Sequence, residues 1–251
     1  MFAKKLYKLT AITLLCFGAI AISVLAKNKY SDPDFGKTFD SKSVIATKQL
    51  AALEKKFTLC NSICNKSNAF MQSIVFAEVM RFSQLKDDIE TESLRTLYVQ
   101  LGEEYANFSI GLFQMKPSFA AQVEEKAKQL LPDSIYNELQ LAYTATIPEN
   151  IRTERVERLQ DADWQLIYLT AFICICNVVY KDNVFTNDRT RLQWYATVYN
   201  AGFDKSDVYI TQKIDQDNFY LSQHMPGKKF KYAAIAAWYF IQQNSTIKQP
   251  K

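Results

Sequence analysis

The stretch Ser73-Ile74-Val75-Phe76-Ala77-Glu78-Val79-Met80-Arg81-Phe82 belongs to a segment that carries apolar residues on more than one face of a helix. Such a segment is typical of a helix that crosses the core of a protein. Glu78 is the only acid in it, and a carboxylate in apolar surroundings must be paired or stay protonated. It is therefore either an acid with a raised pKa that does chemistry, or a structural residue that pairs with Arg81 or faces solvent.

The rest of the sequence also favours helices. Only 6 Gly and 6 Pro occur among 251 residues, and alternation typical of strands is scarce. Leu94, Leu97, Tyr98 and Leu101 fall at the spacing of one helix face. Another helix is expected from Arg191 to Asn200, closed by a glycine. The sequence therefore predicts a mainly α fold.

The most apolar segment beyond the N-terminus runs from Trp164 to Tyr180. Its modest length and the polar residues Asp163, Gln165 and Asn177 near its ends favour a buried central helix over a membrane span. The segment from Phe203 to Lys229 is expected to be a long loop of the kind that borders binding grooves.

The N-terminus resembles an export signal. Lys4, Lys5 and Lys8 precede an apolar run, and Ala26 ends a small-residue cleavage site. We predict a signal peptide at 1–26, a linker or N-terminal arm at 27–45, one domain at 46–243 and a flexible tail at 244–251. Export would place the protein in the periplasm or cell envelope. An uncleaved membrane anchor is the alternative.

The net charge and the cysteine content argue against two classes of function, nucleic-acid binding and metal binding. The three leader lysines supply most of the net charge of +4, and a nearly neutral mature chain argues against nucleic acid as a partner. Cys60, Cys64, Cys174 and Cys176 would remain after cleavage. The sequence has one histidine, His224, and no zinc-ligand spacing. We expect buried thiols with at most one disulfide, and neither metal nor cofactor.

A second informative stretch is Gly111-Leu112-Phe113-Gln114-Met115-Lys116-Pro117-Ser118-Phe119-Ala120. It resembles the Gly-Leu-Met-Gln-x-x-Pro-Ser-x-Ala signature of lytic transglycosylases, which cut the glycan strands of peptidoglycan. Tyr199-Asn200-Ala201-Gly202 resembles the Ala-Tyr-Asn-Ala-Gly box of that family, and Gln165 with Tyr168-Leu169 resembles a third motif. The chain departs from the family at Val79, where serine usually follows the acid, and in the long segment between Glu78 and Gly111.

The resemblance implies a lysozyme-like helical domain in which Glu78 is the catalytic acid. The residues that it places at the substrate are Ser109, Gly111, Phe113, Gln114, Met115, Tyr199 and Asn200. Gly111 would let the chain pass close to the sugar. Phe113 and Met115 would form an apolar floor, Gln114 would bind polar groups of the sugar, and Tyr199 would point its hydroxyl at the acid or the N-acetyl carbonyl.

Other acids and other functions stay open. Glu92, Glu103 and Glu104 lie closer to the glycine motif and are rival acids. The implied reaction uses a single Glu to cleave the bond between N-acetylmuramic acid and N-acetylglucosamine with a 1,6-anhydro product. A hydrolytic muramidase would need Glu90, Glu92 or another acid opposite Glu78. A non-catalytic protein that binds glycan strands, or envelope protein partners, is the third hypothesis.

Overall fold

The chain is helical almost throughout. A computed structural model describes residues 33–221 and 228–247. The helices are α1 (Phe35–Phe39), α2 (Ser41–Ala52), α3 (Glu54–Cys64), α4 (Asn68–Arg81), α5 (Gln84–Leu101), α6 (Pro117–Leu130), α7 (Asp133–Leu139), α8 (Pro148–Gln160), α9 (Ala162–Val179), α10 (Asp188–Ala201), α11 (Asp207–Ile214) and α12 (Tyr232–Ile247). Within those two ranges there is no β-strand, only the isolated bridges Ile110 to Met115 and Phe219 to Phe230. The prediction of a mainly α fold is confirmed.

Some predictions concern parts of the chain that are not described. The signal peptide at 1–26, the start of the arm at 27–32, His224 and the end of the tail at 248–251 lie outside the described residues.

Helix α4 is the central helix that its sequence predicts. It begins where the Ser67 hydroxyl accepts a hydrogen bond from the Phe70 N–H at 3.2 Å. Its residues from Ala69 to Met80 are all buried. Helix α12 packs along it, with the rings of Phe76 and Tyr239 stacked 3.9 Å apart between centroids. The last turn of α4, which carries Glu78 and Arg81, is therefore held firmly by its neighbours.

Helix α9 is the second buried helix. Asp161 caps its start by accepting hydrogen bonds from the N–H groups of Asp163 and Trp164. By length and composition it is the one helix in the described ranges that could cross a membrane, yet most of it is buried against other helices. Leu169 and Phe172 are fully buried. This burial matches the central helix expected for Trp164 to Tyr180.

The N-terminal arm is helical where it is described. Residues 27–45 were predicted to be a linker or N-terminal arm, and from 35 onward this range forms α1 and the start of α2. Phe35 and Phe39 lie one helical turn apart, stack at 5.3 Å and are both buried. The Phe39 ring also packs edge-on against Phe230 at 4.9 Å. Two aromatic side chains four residues apart give this polar segment an apolar face, which docks it on the domain.

Three further expectations need correction. The segment from Phe203 to Lys229 contains α11, which Ser206 caps by accepting a hydrogen bond from the Tyr209 N–H. Helix α12 continues to Ile247, beyond the expected start of the flexible tail at 244. In α5, Tyr98 is buried, but Leu97 is 41% and Leu101 51% exposed, so the predicted apolar stripe is only partly covered.

The four described cysteines are free thiols. Cys60 is half-buried, and the other three are buried. Burial raises the pKa of Cys64 to about 11, so these thiols are held in their unreactive, protonated form.

Candidate functional site

A cleft of about 350 Å³ opens beside the last turn of α4. It is bordered by the end of α4, the segment before α6, the first turn of α6 and the end of α10. The residues that line it are Glu78, Arg81, Asn107, Ser109, Gln114, Met115, Lys116, Ser118, Phe119, Gln122, Tyr199, Asn200, Ala201, Gly202 and Asp204. Both sequence motifs and the acid of α4 therefore meet at one cleft.

Glu78 is the buried acid of this cleft. Its residue is only 4% exposed. Burial raises the pKa of Glu78 to about 7, against the opposing effects of Arg81, a hydrogen bond from the Asn200 side chain and the charge of Lys116. A carboxyl group with this pKa is present in both protonation states near neutral pH, which suits a group that first gives and then takes a proton.

Arg81 accompanies Glu78 one turn further along α4. Its Nη2 atom lies 2.6 Å from Glu78 Oε2, and its side chain is 34% exposed against 5% for Glu78. Oε2 nevertheless has no donor in hydrogen-bonding geometry among the described residues. The contact is thus a close but poorly directed ion pair. The guanidinium also lies over the Phe219 ring at 5.2 Å.

The segment opposite Glu78 is a tight turn closed by the bridge between Ile110 and Met115. Buried side chains from distant helices hold it. Asp87 of α5 accepts hydrogen bonds from the Gly111 N–H at 2.9 Å and from Gln114 Nε2 at 2.8 Å. Burial raises the pKa of Asp87, and these two donors oppose that effect.

Gln165 of α9 holds the inner side of the same turn. Its Nε2 donates to the carbonyl oxygens of Ile110 at 2.6 Å and Leu159 at 2.9 Å. Its Oε1 accepts from the Phe113 N–H at 2.8 Å. The amide is fully buried, so it satisfies polar backbone groups that no water reaches.

Gly111 is needed for packing rather than for the approach of substrate. Its φ of 68° lies in the left-handed region, and a Cβ there would come within 2.4 Å of Gln165 Nε2 and 2.5 Å of the Leu159 oxygen. Gly111 is buried and does not line the cleft. The expected close passage of sugar over this glycine is therefore corrected: the turn backs onto α8 and α9.

The structure brings most predicted site residues together. Glu78, Ser109, Gln114, Met115, Tyr199 and Asn200 line the cleft, whereas Gly111 and Phe113 do not. The Phe113 side chain is fully buried, with its ring 6.2 Å from that of Phe57. The expectation that Phe113 forms an apolar floor is therefore corrected, because its side chain packs in the core. Of the two expected floor residues, Met115 alone reaches the cleft.

Gln114 and Tyr199 use their polar groups differently from the expectation. Gln114 Nε2 donates to Asp87 and, at 2.9 Å, to the Gly111 oxygen, which leaves its carbonyl oxygen for the cleft. The Tyr199 hydroxyl donates to the Phe113 oxygen at 2.8 Å rather than to the acid. Burial and the nearby charge of Glu78 raise the pKa of Tyr199, so this hydroxyl keeps its proton.

The rival acids lie elsewhere. Glu92, Glu103 and Glu104 are exposed, and none of them lines the cleft. Their carboxylates are therefore solvated surface charges. Glu78 remains the one carboxyl of the four that is both buried and at the cleft.

A smaller pocket of about 180 Å³ adjoins the cleft and shares Arg81, Ser109 and Gln114 with it. Asp87 and Glu90 line this pocket too. No sequence pattern indicates the role of Asp87, because its partners Gly111 and Gln114 lie 24 and 27 residues away. In the described ranges, no group of three or more His, Cys, Asp or Glu side chains is placed to hold a metal ion.

No protein-family model, no curated protein and no solved structure matches this chain. The geometry of the cleft is therefore the basis for any statement about function.

Proposed function

We propose that this chain is a peptidoglycan lytic transglycosylase with a lysozyme-like helical domain, and that Glu78 is its acid and base. The observation that carries the proposal is a buried carboxyl group that lines an open cleft and has a pKa raised to about 7. Catalytic acids of glycan-cleaving enzymes need this combination of raised pKa and access to substrate. The proposal also needs export, which the predicted signal peptide at 1–26 would supply.

The cleft offers what a single-acid reaction requires. Protonated Glu78 donates its proton to the oxygen that bridges N-acetylmuramic acid and N-acetylglucosamine, and the bond from that oxygen to the muramoyl C1 breaks. The substrate's own N-acetyl oxygen stabilises the positive charge at C1. Glu78, now a carboxylate, accepts the proton of the muramoyl C6 hydroxyl while O6 bonds to C1. The products are a 1,6-anhydro end and a free N-acetylglucosamine hydroxyl, with no net change at Glu78.

Other cleft residues have supporting roles in this reaction. Asn200 hydrogen-bonds to the Glu78 carboxyl and so orients it. The carbonyl oxygen of Gln114 can accept hydrogen bonds from the sugar, and the Ser109 hydroxyl can accept or donate them. Tyr199 shapes the cleft through its bond to Phe113 instead of contacting the reacting atoms.

The test is the product of the reaction. Purified protein expressed from the full chain is incubated with peptidoglycan beside Glu78→Gln, and the released muropeptides are identified by mass spectrometry. We expect 1,6-anhydro ends from the native protein and none from Glu78→Gln. Glu92→Gln, at an exposed acid away from the cleft, is the matched control and should keep full activity. Anhydro products that persist in Glu78→Gln would refute the role of Glu78.

Two observations favour other functions on the same fold. Asp87 and Glu90 line the adjoining pocket and could activate water, which would make the protein a hydrolytic muramidase. The close contact between Arg81 and Glu78 would suit a protein that binds glycan strands without cutting them. Reducing ends would indicate the hydrolase, and binding of peptidoglycan without cleavage would indicate the non-catalytic protein.

A further inference from the structure

Arg81 is the residue whose position the proposed reaction leaves unexplained. It lines both the cleft and the adjoining pocket, so it lies where the two meet. Its side chain is about a third exposed, whereas its partner Glu78 is almost fully buried. A ligand in the cleft can therefore reach the guanidinium.

The contact between Arg81 and Glu78 is close but poorly formed. The two groups approach to 2.6 Å, yet Oε2 has no donor in hydrogen-bonding geometry among the residues described. A guanidinium forms its strongest pairs when two parallel N–H groups meet a carboxylate, whereas Glu78 Oε2 accepts no directed hydrogen bond among the described residues. A ligand carboxylate that approaches Arg81 from the cleft can accept the two parallel N–H···O bonds of the guanidinium.

The charges around the cleft favour an anion. Lys116 lines it and is exposed. Asp204 also lines it, but its carboxylate lies 2.6 Å from Lys205 Nζ. When Glu78 is protonated, Arg81 and Lys116 are therefore left without a compensating acid at this cleft. In the adjoining pocket Asp87 and Glu90 contribute negative charge, which places the anion on the side of Lys116.

We propose that Arg81 determines specificity by leaving Glu78 to bind a carboxylate of the substrate, with Lys116 as the second cation. The inference rests on the proposed function and adds the residue that would distinguish glycans carrying a carboxylate from neutral polymers of N-acetylglucosamine. In peptidoglycan the carboxylate belongs to the lactyl group of the muramoyl unit or to the peptide attached to it.

Binding of that carboxylate to Arg81 also favours the protonated form of Glu78. Once Arg81 has turned away, the buried Glu78 loses its counter-charge and takes a proton from solvent, because burial penalises the ionised form. The other groups that face Glu78 are Lys116 before α6, Tyr199 and Asn200 on α10, and Tyr232 on α12. Of these only Lys116 is a basic side chain, and its effect on the pKa of Glu78 is smaller than that of Arg81, so Arg81 is the principal group that can change the ionisation of Glu78.

The test compares matched ligands on the full chain. The probes are the disaccharide N-acetylglucosaminyl-N-acetylmuramic acid, the same disaccharide with its lactyl carboxylate converted to a methylamide, and the disaccharide with its peptide attached. Binding is measured by calorimetry on the native chain, because these ligands lack the bond from the muramoyl C1 to N-acetylglucosamine that the proposed reaction breaks. We expect roughly tenfold tighter binding of the charged disaccharide than of the methylamide, as for one directed ion pair at a partly desolvated site. Tight binding of the peptide-bearing form alone would assign the carboxylate to the peptide.

The variants separate a role in recognition from a role in stability. Arg81→Gln should abolish the preference for the charged ligand, Arg81→Lys should keep part of it, and Arg95→Gln, at an arginine paired with Glu157 away from the cleft, should leave it intact. Carbon-13 NMR of the Glu78 carboxyl in the native chain should show its pKa rising when the charged disaccharide binds, and less with the methylamide.

The proposal is overturned if Arg81→Gln binds the three ligands with the native preference, if the native chain binds all three equally, or if none of them binds. Failure of the proposed function is a separate result. A protein that prefers the charged ligand but releases no cleaved product from peptidoglycan would refute the transglycosylase while supporting the role of Arg81.

Discussion

Tyr199 and Phe113, 86 residues apart in the chain, are joined by a hydrogen bond of 2.8 Å from the tyrosine hydroxyl to the phenylalanine carbonyl oxygen. The bond ties the last turn of α10 to the turn that forms the opposite wall of the cleft. Both residues are buried. The two sequence motifs are therefore connected directly, through a backbone group.

Tyr199→Phe tests that connection. The substitution keeps the ring and leaves the Phe113 oxygen without a partner in a buried place, so the free energy of unfolding should fall by about 1 to 2 kcal/mol. Urea denaturation measures the loss. Tyr209→Phe, at a tyrosine that is 39% exposed, should change it little. Equal stability of the native chain and Tyr199→Phe would show that the bond contributes nothing.

The burial of Glu78 predicts a dependence of stability on pH. Its pKa is about 7 in the folded chain and near the ordinary 4.5 when unfolded. Between these values the folded chain holds a proton that the unfolded chain releases, so stability falls as pH rises through this window. The fall is on the order of 3 kcal/mol and is complete above pH 7.

Glu78→Gln should remove this dependence and make the protein more stable than the native chain at pH 8. Chemical denaturation at pH 4.5 and pH 8 provides the measurement, with Glu92→Gln as the control that keeps the native slope. A native slope in Glu78→Gln would mean that another group carries the effect.

The same pKa sets the pH range of activity. The proposed reaction begins with protonated Glu78, so the rate of glycan cleavage at low substrate concentration should fall above about pH 7. It should decrease tenfold for each further pH unit. The rate of release of anhydro products between pH 5 and 9 gives the profile. A rate that keeps rising to pH 9 would exclude Glu78 as the proton donor.

Alanine substitutions at Gly111 and Gly102 can be compared to test how closely the turn is packed. Both have positive φ, but a Cβ at Gly111 would collide with Gln165 and Leu159, whereas one at Gly102 meets nothing within 4 Å. Gly102→Ala should cost about 1 to 3 kcal/mol from backbone strain alone. Gly111→Ala should cost about 1 to 3 kcal/mol more, because the core must shift around the methyl group. Equal losses of stability in Gly111→Ala and Gly102→Ala, measured by thermal or urea unfolding, would contradict the close packing at Gly111.

Asp87→Ala tests the hydrogen bonds by which α5 holds the turn between Ile110 and Met115. It removes the acceptor of the Gly111 N–H and of one Gln114 amide hydrogen. The expected loss of stability is about 2 to 3 kcal/mol, because a buried donor is left without a partner. Gln114 and Ser109 should also shift, so glycan cleavage should decrease. Faster hydrogen exchange of the Gly111 amide, measured by NMR, would locate the change, and native exchange would argue against it.

The sequence predicts best those parts of the structure that depend on residues close together in the chain. Glu78 stands out because its helical neighbours are apolar, and the helix that carries it forms as expected. Gly202 ends α10 with a φ of 101°, a conformation that favours glycine. The residues in these patterns are neighbours in the chain, so their spacing indicates the structure.

The details that were missed depend on contacts between distant segments. Phe113 was expected at the substrate because it lies in the motif that resembles the transglycosylase signature. Its ring instead packs near Phe57 of α3, and its N–H bonds to Gln165 of α9. Asp87 gave no signal, since its role depends on a turn in another part of the chain. The mainly helical fold and the helix that carries Glu78 were thus predictable from the sequence, and the contacts that support the cleft were not.

The amide of Gln165 substitutes for a neighbouring strand. It offers the turn at 110–113 one donor and one acceptor, as a peptide group in a sheet would, although no sheet is present in the described residues. The turn acquires these bonds only when α9, 55 residues further along the chain, has docked. The inner side of this cleft wall therefore depends on α9, and a nascent chain that ends before α9 lacks the bonds that hold it.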